Sequence, residues 1–133
     1  MANVVLVDSS VFIHLLRRDL DPAVALREEF DPLDLVTCGM VKIEVLRGVK
    51  IPKVRERLDA LMSVMQFVPT DNRLWDEAVS LAWAMDRAGQ VIPATDLIIA
   101  VSAQRVGASL LTLDHHFEMI PRLSMAKFPD AWR

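Results

Sequence analysis

Apolar residues fall into two kinds of run along this chain: short unbroken stretches, and longer segments with an apolar residue every third or fourth place. Val4-Val5-Leu6-Val7 is of the first kind and reads as a strand buried on both faces, as in a parallel sheet. It ends at Asp8-Ser9-Ser10, and Val11, Phe12, Leu15 and Leu16 then recur at helical spacing. Asp21-Pro22 restarts a helix that runs to about Phe30, with proline in its first turn. Leu35-Val36-Thr37-Cys38 reads as a second strand, followed by a helix from Met40 to Leu46 closed at Gly48. Beyond Pro52, the residues Val54, Leu58, Leu61, Met62 and Met65 mark one face of another helix. Phe67-Val68 is a brief strand, and Thr70-Asp71 open a long helix with Leu74, Ala78, Leu81, Ala82 and Met85 on one face, ended by Gly89. Pro93-Ala94-Thr95 lead into a helix from Asp96 to about Val106, with Gly107 as its stop. Ser109 to Leu113 reads as a further strand, and Ser124 to Phe128 as a short edge strand confined by Pro121 and Pro129.

Strands thus alternate with helices, which predicts an α/β fold: three layers, α/β/α, around a central, mostly parallel sheet. No linker or repeat divides the pattern, so residues 1–133 are expected to form a single domain. With 53% hydrophobic and 25% charged residues, the chain has the composition of a globular protein with a real core. The longest apolar runs, Val4 to Val7 and Leu97 to Val101, fall far short of the ~20 residues of a membrane helix, so no membrane partner is expected. Met1 leads quickly into an apolar run, but a basic leader and a small-residue cleavage site are missing and Asp8 interrupts it. The single cysteine, Cys38, has no internal disulfide partner, which fits a reducing, cytoplasmic setting. A net charge of −3 argues against a protein that holds nucleic acid by bulk electrostatics, but leaves room for an enzyme acting on it.

The candidate chemistry is a set of four acids. In open α/β sheets ligands bind beyond the carboxyl ends of the strands. Asp8 and Asp114 follow strands, Asp96 begins a helix, and Glu44 lies one turn into the helix after the second strand. This topology can bring all four to one edge. Two carboxylates ~4 Å apart repel by roughly 4 kcal/mol at an effective dielectric of about 20. A cation relieves that cost, and all-oxygen ligation suits Mg²⁺ or Mn²⁺ and not Zn²⁺. Such an ion polarises a phosphate and acidifies a bound water, which points to phosphodiester hydrolysis by an activated water. Singly, each acid also has a purely structural role open to it. Asp8 can cap a helix, and Asp96 can favour the helix dipole while Thr95 caps. Glu44 can pair with Lys42 or Arg47, and Asp114 can start a turn before His115.

Together, four segments resemble the PIN-domain ribonucleases, and among them the VapC-type toxins of toxin–antitoxin pairs. Val5-Leu6-Val7-Asp8-Ser9-Ser10-Val11-Phe12-Ile13 is similar to the opening strand and first acid, and Ile43-Glu44-Val45-Leu46-Arg47-Gly48 to the second-acid helix. Thr95-Asp96-Leu97-Ile98-Ile99-Ala100 is similar to the third, and Gly107 to Phe117 to the closing motif with its acid at Asp114. The resemblance implies a PIN-like, flavodoxin-like fold, dependence on Mg²⁺ or Mn²⁺, and endonucleolytic cleavage of RNA. It also implies a homodimer and a cognate antitoxin. By the same match Asp8 and Asp96 are the direct metal ligands, Glu44 and Asp114 complete the site partly through water, and Ser10 and Thr112 supply hydrogen bonds. His116 stands where many relatives carry a further acid, a departure expected to tune the site.

Other residues carry less. His14, His115 and His116 fit surface or turn roles better than metal ligation. The cations Arg17, Arg18, Lys42, Arg47, Lys50, Lys53, Arg55 and Arg57 gather in the first half, where some can border the site. Trp75, Trp83 and Trp132 can stack on bases, but the spacing of Trp75 and Trp83 fits core or interface. Two other classes compete with the nuclease. One is a non-catalytic module that keeps the acidic pocket to bind RNA or antitoxin. The other is an aspartyl-phosphate phosphatase, disfavoured because serine stands at position 10 where a second aspartate is usual. A receiver-type phosphorylation switch fails because the acids do not fall at its strands.

Overall fold

The first apolar run becomes β1 (Val5–Val7) and the second becomes β2 (Leu35–Cys38), with every side chain of both buried. This computed structural model describes residues 3–133; Met1 lies outside it, and the apolar run that follows, weighed above as an export leader, holds β1. β3 (Gln66–Val68) and β4 (Ser109–Leu111) complete, among the described residues, a four-stranded sheet in the order β3-β2-β1-β4. Every pairing in it is parallel. The expected α/β/α architecture is the one observed, and the sheet is wholly parallel.

The helices are α1 (Ser9–Arg17), α2 (Pro22–Glu29), α3 (Gly39–Arg47), α4 (Pro52–Val64), α5 (Asn72–Arg87) and α6 (Ala94–Arg105). Asp21 and Asp71 cap α2 and α5 through their side chains, accepting from Ala23 N and Leu74 N at 2.9 Å. Gly89 and Gly107 follow α5 and α6 with φ of +77° and +67°, the left-handed turn that suits a residue without Cβ. From Leu97 to Ala103 α6 is buried on every side, as its apolar run requires, so it is a core helix and not a surface one. No helix among the described residues is long and apolar enough to cross a membrane.

Four local expectations change. α6 starts at Ala94 with Pro93 at its cap, so Thr95 lies inside the helix and caps nothing. β4 stops at Leu111, two residues short of the predicted end; beyond it the amides of Leu113 and Asp114 donate to the side-chain hydroxyls of Ser10 and Thr112 and not to a neighbouring strand. The predicted edge strand from Ser124 to Phe128 shrinks to one parallel bridge, Leu110 with Met125, between the two prolines. Trp75 and Trp83 are not core residues: α5 buries Leu74, Ala78 and Met85 and leaves both tryptophans exposed. The third, Trp132, is buried, and its carbonyl sits 2.7 Å from His14 Nε2.

The strand order places the functional question. The chain lays β2 and β3 on one side of β1 and then returns to lay β4 on the other. Between β1 and β4 the order reverses, and in such sheets the crevice at that reversal is where ligands bind.

Candidate active site

Asp8 follows β1 directly at this crevice and is 4% exposed. It stands at the N-cap of α1, yet its side chain makes no capping bond. Its Oδ2 instead accepts from Ser10 Oγ at 2.7 Å and from Thr112 Oγ1 at 2.8 Å. The two hydroxyls lie 3.3 Å apart, and both are tied to the loop after β4: Leu113 N donates to Ser10 Oγ and Asp114 N to Thr112 Oγ1. A buried carboxylate without partners is costly, and here the switch point itself supplies them. Thr112, the first residue past β4, belongs to this network.

Glu44 reaches the same place from α3. It pairs with neither Lys42 nor Arg47: Lys42 bonds Asp59 at 3.1 Å, and Glu44 Oε1 accepts from Ser9 Oγ at 3.2 Å. That hydroxyl also lies 3.5 Å from Asp8 Oδ1. Burial pushes the Glu44 carboxyl above its ordinary value; the Ser9 bond opposes this and the Asp8 charge adds to it. Asp114 caps the 3-10 turn His115–Met119, accepting from His116 N at 2.9 Å, and His116 Nδ1 lies 3.0 Å from the same carboxylate. Asp114 thus performs the turn role foreseen for it while remaining beside the acids.

Asp96 sits in the first turn of α6, where the helix dipole favours a negative charge. Its carboxyl is nevertheless pushed up to about 6, first by burial and then by the charges of Asp114, Asp8 and Glu44. His116 acts on it in the opposite sense. Asp114, Asp8 and Glu44 thus all act on Asp96, and Asp8 acts on Glu44 as well, so this edge carries a surplus of negative charge.

The residues fit a hard divalent cation of the kind that keeps its water. The donors are all oxygens, two of the carboxyls are raised, and the hydroxyls hold Asp8 in place. Among the described residues no three Asp, Glu, His or Cys side chains close around a single point. A Mg²⁺-like ion does not need such a cage, since it commonly binds through one or two carboxylates and retains several waters. Cys38 is fully buried, and burial pushes its thiol up, so it offers no reactive thiolate at this edge.

A cavity of about 400 Å³ opens beside Glu44 between α1 and α3, walled by Ile13, Leu16 and Val45, with Arg17 among its lining. Arg17, of the first-half cations, shares this cavity with Glu44. Arg57 is ion-paired with Asp21 instead. A cavity of about 680 Å³ between α5, α6 and Pro121-Arg122 contains none of the four acids. Sequence reasoning missed Ser9. Its signal was present in the doubled serine after Asp8, of which Ser10 alone was singled out.

The likeness to known proteins follows the same core. Solved structures with this fold include the DNA-bound VapBC complex of Salmonella typhimurium, at TM-score 0.75 and 16% identity over 92% of this chain and 96% of that one. A toxin–antitoxin complex from Klebsiella pneumoniae matches at 0.70 and 22%, over 91% and 96%. VapC20 of Mycobacterium tuberculosis, a sarcin-ricin-loop-cleaving toxin, matches at 0.66 and 16%, over 92% and 99%. A search of curated protein sequences found no match. The family model of the PIN domain matches residues 5–123, from the first residue of β1 to beyond the acid at Asp114, and the chain belongs to the PIN-domain family.

Proposed function

We propose that this protein is a metal-dependent endoribonuclease, and that it is the toxin of a toxin–antitoxin pair. The observation that carries the reading is Asp8: a buried carboxylate at a helix start that caps nothing and is held by two hydroxyls among three other acids. Asp8 and Asp96 would be the direct ligands of Mg²⁺ or Mn²⁺, with Glu44 and Asp114 completing the site partly through water. Bound there, the ion supplies charge for the phosphodiester and acidity for the attacking water. The chain's own contribution is placement. Ser10 and Thr112 fix Asp8, α6 presents Asp96, and the turn after β4 sets Asp114. The test is cleavage of total RNA by purified protein in Mg²⁺, in Mn²⁺ and in EDTA. Cleavage with either metal and none in EDTA is the expected result. Metal-dependent RNA binding without cleavage would favour the non-catalytic module instead.

The toxin part of the reading is supported by the solved neighbours, several of which are toxin–antitoxin complexes. A partner segment with apolar side chains fits the cavity beside Glu44, since most of its walls are aliphatic. In this reading residues 1–133 act as one unit in the cytoplasm.

For the homodimer, α5 offers a surface. Trp75, Val79 and Trp83 are 48%, 65% and 63% exposed and lie on one i, i+4, i+8 ridge, with the Arg87 guanidinium 5.0 Å over the Trp83 ring. Isolated exposed apolar residues are ordinary, but a continuous ridge with two tryptophans marks an interaction face. The ridge is symmetric about Val79. Two copies packed antiparallel there set Trp75 against Trp83 of the other copy, with no like charges opposed. Such self-complementarity is what a twofold interface needs. Val79→Arg puts two guanidinium groups face to face on the axis. Light scattering is expected to show a dimer for the wild type and a monomer for the variant at the same concentration; an unchanged dimer would exclude this face.

A further inference from the structure

The hydroxyls around the acids are not equivalent. Ser10 and Thr112 both donate to one oxygen of Asp8, at 2.7 and 2.8 Å, and need no help to hold it. Ser9 Oγ faces the other oxygen, Oδ1, at the longer distance of 3.5 Å, and lies nearer Glu44 Oε1, at 3.2 Å. A serine has one proton to donate, and Glu44 is where it is needed. Among the described residues no other side chain hydrogen-bonds the Glu44 carboxylate. Ser9 is the first residue of α1 and nine-tenths buried, so its hydroxyl has little freedom to turn elsewhere. Glu44, by contrast, has a long side chain on a different helix, with rotamers to lose.

We infer that Ser9 is a positioning residue: its hydroxyl latches Glu44 of α3 to the N-terminus of α1 and so holds the second acid beside Asp8. This rests on the metal-dependent reading of the same site. It assigns Ser9 a task distinct from that of Ser10 and Thr112. Those two fix one acid to the sheet edge, whereas Ser9 fixes the spacing between two acids carried by different elements. Residues that orient a ligand through a hydrogen bond typically change metal affinity about 10–100-fold when lost.

The test combines two measurements. Mn²⁺ titration by calorimetry compares the wild type with Ser9→Ala, Ser9→Thr, Glu44→Ala and the Ser9→Ala/Glu44→Ala pair, with melting temperatures recorded alongside. Ser9→Ala is expected to weaken Mn²⁺ binding about tenfold, and Ser9→Thr, which keeps the hydroxyl, to recover most of it. In the Glu44→Ala background, where Ser9 has no acceptor to hold, Ser9→Ala is expected to add little, because its effect runs through Glu44. An equal loss in both backgrounds would overturn the latch, since a general packing role is additive. Crystal structures of the metal-free wild type and Ser9→Ala supply a readout without the ion. Glu44 is expected to leave its place beside Asp8 in the variant, and an unmoved carboxylate would overturn the inference. Should the wild type take up no Mn²⁺, the metal reading falls while the position of Glu44 still decides the role of Ser9.

Discussion

Asp8→Asn is expected to lose RNA cleavage by at least about 100–1000-fold, the size typical of removing one preorganised electrostatic group from a reacting centre. It is expected to fold as well as the wild type. Asparagine matches aspartate in shape, and the hydroxyls of Ser10 and Thr112 can rotate to meet its amide oxygen as they meet Oδ2. The variant also relieves a repulsion, since the Asp8 charge raises the carboxyls of both Glu44 and Asp96. Lost cleavage with an unchanged or higher melting temperature would therefore separate a functional role from a structural one. Near-normal cleavage would sink the four-acid mechanism, and a collapsed melting temperature would mean that Asp8 is chiefly structural.

How much of this arrangement the sequence discloses follows from the range of the interactions involved. β2 could be read at both its ends because a four-residue apolar run bounded by a helix start is a local signal. The end of β4 could not. Thr112 has the propensity of a strand residue, but beyond Leu111 the chain's amides go to side chains, Leu113 N to Ser10 Oγ, 103 residues away in sequence. Asp8, Asp96 and Asp114 stand at element boundaries that periodicity reveals, whereas Glu44 lies inside α3 and is singled out only by the segment around it. Ser9 was not legible, since its role depends on α1 packing against α3. The tryptophans of α5 show a different limit. Leu74, Ala78 and Met85 form one apolar stripe, and Trp75, Val79 and Trp83 form a second, one residue out of step. Spacing shows which residues share a face, but not which face turns inward.

The same charge surplus that makes the site a plausible cation holder makes Asp96→Asn stabilising when no cation is present. In the folded protein the Asp96 carboxyl is raised from 3.8 to about 6, mostly by burial and then by Asp114, Asp8 and Glu44. Between those values the folded chain keeps a proton that the unfolded chain releases. The stability this confers is full below about pH 4 and is lost as pH rises through about 6. At neutral pH the ionised Asp96 is thus a cost to the metal-free fold, up to roughly 3 kcal/mol if unscreened and about 1–2 kcal/mol once solvent screening of a partly exposed group is counted. Asp96→Asn, which cannot ionise, is expected to raise the melting temperature in EDTA at pH 7 by about 3–6 °C, and to make little difference near pH 4. With saturating Mn²⁺ the order reverses: the wild type gains stability from a ligand bound to its folded state, while the variant has lost a ligand and gains little. Calorimetry from pH 4 to 8, in EDTA and in Mn²⁺, reads both trends. A variant less stable than the wild type in EDTA at pH 7, yet equally stabilised by Mn²⁺, would show that Asp96 serves the fold and not the ion. The crossing expected here would instead mean that the protein carries a standing electrostatic cost at this edge, which a bound cation removes.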